Sequence, residues 1–195
     1  MFAFGNKHPY HEVVMSTQIK SNNGVAIAIH DQRQYVVDGS KSATYCGNLR
    51  SGVGIPYDIT TKSGKPLADD MLEVVGRAIE KNGVKLHKVV TRSGLSKEVI
   101  IAELGKTQAP RSLYIRILEW KTDTYMKADL YCLVLLQVLD NKGNVIAENS
   151  VKTSREGFGG SFWSPQKAAK KGALKALKMK MEALINEPNI IKAFE

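Results

Sequence analysis

Four histidines, two cysteines and one adjacent acidic pair are the residues of this chain whose types could do chemistry. His8 and His11 stand three apart, but Pro9 lies between them. No neighbouring cysteine or acidic pair completes the three or four converging ligands that zinc needs. His30, followed by Asp31 at the end of an apolar run, could have its imidazole oriented by that carboxylate. Joined to a loop serine or to Cys46 it would form part of a nucleophilic set, but the sequence identifies no partners, and a satisfied structural histidine is the default. His87 sits inside the strand-like run "VKLHKVV". Cys132 lies in "DLYCLVLLQVL" and packs as a small hydrophobe. Cys46 lies in a glycine-bearing stretch, as a free thiol or half of a bridge, and one such pair defines no redox compartment. Asp69 and Asp70 are adjacent, so on a helix they point to different sides and cannot share a substrate as acid and base; they complement a helix N-terminus instead. Asp129 and Glu119 could face each other across a hairpin.

The glycine-rich stretches invite a phosphate-binding reading, which fails on its spacing. A Walker loop needs Gly, four residues, then Gly-Lys-Ser/Thr. Here "SGKP" puts Pro66 at the hydroxyl position, and Ile59 stands where the first glycine belongs. "GVG" at 52–54 is followed by "IPY", without the third glycine of a dinucleotide fingerprint. No catalytic residue, metal or cofactor is therefore assigned.

Binding is the better-supported class. A net charge of +9 and a pI near 9.5 favour an anionic partner, such as nucleic acid, an anionic membrane surface or an acidic protein. Lys167, Lys170, Lys171, Lys175 and Lys178 gather on one face of the last helical pattern, a candidate anion-binding strip whose plain alternative is a solvated helix face. That helix lacks the interleaved aromatics of a single-strand platform. Phe158, Phe162 and Trp163 precede it in "GFGGSFW", as a lid on the core or an exposed protein-binding patch. With Arg50, Tyr57 and Asp58 of the 39–64 stretch they are the candidate partner-binding residues. A connection that long inside a compact domain is unusual, and such loops are commonly functional.

These residues must be held by a fold. A chain of 195 residues with 43% hydrophobic and 24% charged residues suits one soluble globular domain. Residues 1–24 read as an N-terminal arm or extra strand, "HEVVMSTQI", and 25–195 as a single α/β domain with a long loop at 39–64. "VAIAIHD" at 25–31 alternates small and large apolar residues, as a strand covered on both faces does. Leu67, Met71, Val74, Val75, Ala78 and Ile79 recur at helical spacing, with Ser63 or Thr61 supplying the capping hydroxyl, Pro66 in the first turn and Gly83 as the stop. "VKLHKVV" is a strand, and Ser93 or Ser96 opens a short helix. Three strands follow at 112–122, 126–140 and 144–153, the last two joined by "DNKGN". On the final helix Ala168, Ala169, Ala173, Ala176, Leu177, Met179, Ala183 and Leu184 form the apolar face, and Lys180 must snorkel from it. Pro188 ends that helix, leaving Ile190, Ile191 and Phe194 as an anchor. The order β-α-β-α-β-β-β-α gives an α/β (α+β) layer: a mixed, largely antiparallel sheet with helices mainly on one face.

No run approaches the roughly 18 apolar residues of a spanning helix, and no basic region followed by an apolar core opens the chain, so the sequence as written carries no export signal. The strand ending in "DQR" at 31–33, the helix followed by "NGVKL", the strand series and the tail "INEPNIIKAF" resemble the YajG-type lipoproteins of bacterial envelopes, from about Val25 to Phe194. That resemblance implies an α/β domain tethered to the outer membrane through a lipidated N-terminal cysteine, with no established catalytic residues. The chain departs from it in showing no lipobox cysteine near Met1 and in its long 39–64 stretch. The order of elements is also similar to the auxiliary lipoproteins of envelope transport systems, which implies docking to a protein. The expectation is a non-enzymatic envelope domain binding a protein partner or envelope component. It would be periplasmic if the chain is the mature part of a lipoprotein and cytoplasmic otherwise, with membrane contact only through the lipid anchor and homo-oligomerisation open. The alternatives are a cytoplasmic nucleic-acid-binding module using the lysine strip, and a small hydrolase or transferase with 39–64 as its lid.

Overall fold

The computed structural model describes residues 7–125, 127–157 and 165–195, apart from the side chains of 165–168. Among them, eight strands form one mixed sheet and five helices pack against it. The expected α/β class is what the structure shows.

The centre is β2 (Val25–Asp31), all seven of whose residues are buried. It runs parallel to β5 (Leu86–Val89) on one side and β6 (Arg111–Thr124) on the other. Its small and large residues divide between the faces. Val25, Ile27 and Ile29 join the main core with α2 (Leu67–Glu80), α4 (Pro165–Ile185) and α5 (Pro188–Lys192). Ala26 and Ala28 face the other way, where their lack of bulk lets Ile100 and Leu104 of α3 (Lys97–Lys106) pack close. Helices thus lie mainly, though not wholly, on one face. From β6 the sheet continues as an antiparallel meander through β7 (Ala128–Asp140) and β8 (Val145–Gly157). The last turn is set by Asp140, whose Oδ1 accepts from the backbone N–H of Lys142 and Asn144, with Gly143 left-handed at φ +84°.

The helices follow their signals closely. In α2 the expected Ser63 and Thr61 hydroxyls do not cap: Pro66 occupies the N-cap, Thr61 donates to the Lys65 carbonyl, and Ser63 donates to Asp70 Oδ1 at 2.6 Å. Asp70 is fully buried rather than displayed at the helix end, and burial raises its pKa. Gly83 takes the left-handed stop, and Ser96 caps α3 through the Val99 N–H. On α4 the buried arc centres on Leu177 and Leu184. That puts Met181 inside and leaves Met179 and Ala183 exposed, against expectation, while Ala168 lies outside the described side chains. Lys180 does leave the apolar side, reaching Glu156.

Three segments differ from the sequence reading. The 39–64 stretch is no loop: after a short α1 (Gln34–Val37) it forms the hairpin β3 (Tyr45–Arg50) and β4 (Pro56–Thr61). β3 runs parallel to the far end of β6, and the short β1 (Lys7–His8) adds to β4. Gly47 explains the disguise. A Cβ there would stand 2.2 Å from Thr122 Oγ1 and 2.4 Å from the Thr122 carbonyl, so the glycine marks a bulge where β3 lies tightly against β6, not a loop. Second, "HEVVMSTQI" is not a strand but a 3-10 turn (Tyr10–Glu12) followed by extended chain. Val13, Met15, Thr17 and Ile19 alternate into the core, yet the backbone is held by side chains: Glu182 accepts from the Ser16 N–H, Asn186 from the Gln18 N–H, and Asn82 donates to the carbonyls of Thr17 and Ile19. Third, Asp129 does not face Glu119: Asp129 pairs in register with Asp123 and binds Arg155, while Glu119 accepts from Tyr35.

The residues of "DQR" form the fold's main polar joint. Arg33 is fully buried and meets Asp31 with two parallel bonds, Nε to Oδ1 at 2.8 Å and Nη2 to Oδ2 at 2.6 Å. Its Nη1 donates to the carbonyls of Tyr45 and Trp120, at 2.6 and 3.1 Å. One guanidinium thereby ties β2, β3 and β6 together. Burial alone would lower the Arg33 pKa, but the Asp31 carboxylate outweighs it and holds it above the usual value.

Candidate functional site

The β3–β4 hairpin carries the most conspicuous surface feature. Its turn is closed by Ser51, whose N–H donates to the Ile55 carbonyl and whose hydroxyl accepts from the Ile55 N–H, with Gly54 left-handed at φ +87°. This geometry throws apolar side chains outward: Val53 is 83% exposed, Ile55 53% and Tyr57 44%. Tyr125, 46% exposed in the β6–β7 turn, donates its hydroxyl to the Gly52 carbonyl at 3.0 Å and extends the same patch. Val53, Ile55 and Tyr125 were not singled out from the sequence. The signal was present in "GVGIPY", where a hairpin turn spends its central positions on apolar residues instead of Asn or Asp.

The expected binding trio of this stretch divides by role. Tyr57 pairs across the hairpin with Leu49, so it shares the core-side face and projects past the core's rim. Arg50 and Asp58 lie on the other face. Arg50 makes a two-pronged pair with Asp123, Nε to Oδ1 at 2.8 Å and Nη2 to Oδ2 at 2.6 Å, bracing the hairpin on β6. Asp58 is engaged by Lys41. As partly exposed pairs these bonds set geometry more than stability. Phe158, Phe162 and Trp163 lie outside the described residues.

Four of the five lysines of the candidate strip have described side chains. Lys170, Lys171, Lys175 and Lys178 are exposed along α4, with Lys178 4.0 Å from Glu182; the Lys167 side chain lies outside the described ones.

The residues suggested for nucleophilic chemistry are kept apart. His30 projects with Ala26 and Ala28 toward the α3 side, where its Nδ1 lies 2.9 Å from the Tyr114 hydroxyl, and burial lowers its pKa. Cys46 projects into the main core, its Sγ 3.4 Å from the Ile59 carbonyl. β6 separates their strands. Both cysteines are free and buried, and burial pushes both thiols up. His8 is buried against Thr122, and desolvation, helped by Lys170, lowers its pKa to about 4. His11 instead lies 3.8 Å from Glu12 and from Asp70. Among the described residues no group of three or more His, Cys, Asp or Glu side chains is placed to hold a metal, and no helix is long and apolar enough to cross a membrane.

Similar structures exist for this arrangement of sheet and helices. The chain shares its fold with a DUF330 protein of Xanthomonas campestris. That likeness has a TM-score of 0.55 at 13% identity and covers 92% of this chain and 95% of the other. Weaker likenesses are to a PelC dodecamer from Paraburkholderia phytofirmans (TM-score 0.40, 11% identity, 86% and 92% covered) and to lipoprotein GNA1162 of Neisseria meningitidis (TM-score 0.33, 12% identity, 79% and 96% covered). The sequence matches no protein-family model and no curated protein. The resemblance to YajG-type lipoproteins therefore rests on the short stretches quoted above.

Proposed function

We propose that this chain is a non-enzymatic binding domain of a bacterial envelope, docking a protein partner or envelope component through the β3–β4 end of its sheet. The observation that carries the reading is the braced apolar tip. Val53, Ile55 and Tyr57 are exposed on a hairpin that Arg50–Asp123 and the Tyr125–Gly52 bond hold in place, and the exposed Tyr125 of the β6–β7 turn reaches that hairpin through the same bond. Isolated exposed apolar residues need no explanation, but a contiguous group on a fixed scaffold is what a docking surface requires. The separation of His30 from Cys46 counts against the hydrolase reading. Placement in the envelope draws on the YajG-type resemblance of residues 25–194, with which the observed fold agrees. Phe158, Phe162 and Trp163 belong to the proposed surface on sequence grounds alone.

The test is a paired one. Val53→Ser with Ile55→Ser removes the apolar tip without touching the core, so folding stability should change by only about 0.5 kcal/mol. In cells of the native organism, crosslinks made through the hairpin should fall at least tenfold. Unchanged crosslinking in the folded double variant would remove the hairpin from the binding surface.

A further inference from the structure

The face of the sheet opposite the main helices is covered by α3 over β2 and the start of β6, and α3 does not cover all of it. Where β6, β7 and β8 run side by side, Arg116, Leu135, Gln137, Glu148 and Ser150 line a cleft of about 460 Å³. Register places them in two adjacent rows: Arg116, Leu135 and Ser150 in one, Tyr114, Gln137 and Glu148 in the other.

Arg116 stands out among the seven arginines of the chain. Arg33, Arg50 and Arg155 are paired to carboxylates, Arg77 to Glu73 and two backbone carbonyls, and Arg92 and Arg111 to backbone carbonyls. Arg116 has no hydrogen bond or ion pair among the described residues, and its Nε is buried without a partner. Its guanidinium stands 5.9 Å from the centre of the Tyr114 ring. The Tyr114 hydroxyl is held by His30, so that residue offers a π face and no negative charge. Beside it Gln137 Oε1 is also buried without a donor, and its amide nitrogen leans on Glu148 Oε2 at 3.4 Å. An unpaired guanidinium, an unmet carbonyl acceptor and a carboxylate thus border one cleft with Leu135 between them. Orphaned buried polar groups are costly in a native fold, and their convergence on a cleft marks groups that a ligand would satisfy.

We propose that this cleft binds an α-amino or α-amido carboxylate: the carboxylate on the Arg116 fork, the adjacent nitrogen donating to Gln137 Oε1, and the ligand's side chain against Leu135. A guanidinium takes a carboxylate with two parallel bonds, which gives the site its polarity. The same chemistry is presented by a free amino acid, whose ammonium would also meet Glu148, and by a peptide C-terminus, whose amide N–H would meet only Gln137. The site is separate from the hairpin tip and does not depend on the reading of that surface.

The experiment follows the Arg116 Nε–Hε signal of the ¹⁵N-labelled chain during titration with L-alanine, N-acetyl-L-alanine or acetate at constant ionic strength. Each is taken to about 10 mM, ten times a millimolar Kd. A saturable shift with at least one α-substituted carboxylate is expected, at least tenfold tighter than acetate. The shift-inducing ligand should no longer move the neighbouring Gln137 side-chain amide in Arg116→Gln, a variant whose backbone spectrum should stay folded because Arg116 supports no bond. Glu148→Gln separates the sources: it weakens L-alanine but not N-acetyl-L-alanine. Absence of any saturable shift, equal shifts with acetate, or binding that survives Arg116→Gln would overturn the proposal.

Discussion

Replacing Arg33 with methionine keeps most of the side-chain volume and removes the charge from the joint between β2, β3 and β6. The loss can be worked from the bonds. Asp31, only 3% exposed, would be left as a buried carboxylate without its counter-ion, and the carbonyls of Tyr45 and Trp120 would lose a donor. Removing one member of a buried pair costs about 3–5 kcal/mol, because the surviving charge is stranded. The Tyr45 carbonyl, losing the guanidinium donor, adds about 1 kcal/mol, while the Trp120 carbonyl keeps the Tyr35 hydroxyl at 3.3 Å, and such terms do not sum. Against a domain stability of about 5–15 kcal/mol this is a large share. Urea unfolding followed by tryptophan fluorescence should show the midpoint falling steeply at an unchanged slope. Asp31→Asn alone should also destabilise. The double variant should lose clearly less than the sum of the two single losses, since neither partner is then stranded. An Arg33→Met midpoint within about 1 kcal/mol of wild type would refute the assignment of this pair as a stabilising joint.

Other perturbations read different parts of the structure. Gly47→Ala should cost about 3 kcal/mol or more, because the new methyl meets Thr122 backbone that cannot withdraw; a circular-dichroism melt matching wild type would contradict the close approach of β3 to β6. His8 has a folded pKa of about 4 against 6.5 unfolded, so the unfolded chain gains a proton first as pH falls, and stability should drop between about pH 6.5 and 4 by up to about 3 kcal/mol. His8→Gln should flatten that part of the stability–pH curve, and an identical slope would remove the group from the linkage. Cys46 and Cys132 should ignore a thiol reagent in the native chain and both react in urea; rapid native labelling would show that one is not buried.

Much of this was legible in the sequence, for identifiable reasons. The alternation of alanine with larger residues in β2 announced a strand covered on both faces, and the structure uses each size against a different layer. The turn residues around Gly143 and the stop at Gly83 act through local backbone geometry, which is why they could be read locally. The β3–β4 hairpin could not. "YCGNLR" pairs with β6 through a glycine whose purpose is visible only when Thr122 is beside it, and β4 opens on a proline. The stretch "HEVVMSTQI", read as a possible strand, is extended over 13–19 with alternate side chains buried, but Glu182, Asn186 and Asn82 take the place of a neighbouring strand, which nothing within the stretch itself announces. Of the candidate residues, Tyr57 is exposed at the tip, while Arg50 and Asp58, chosen from their types, are engaged by Asp123 and Lys41 as braces. Arg116 carried no signal at all, because what distinguishes it is the partner it lacks.

The hairpin's role is tested most directly by a photo-reactive side chain placed at Tyr57 and, as control, at Lys97 on α3, across the sheet from the main core. Both variants would be expressed in the native cells, irradiated and fractionated. The expected result is a discrete adduct from position 57 in the envelope fraction, absent from position 97 and abolished by Val53→Ser with Ile55→Ser. Adducts of equal yield from both positions, or recovery of the protein in the cytosol bound to nucleic acid in a salt-sensitive way, would contradict it.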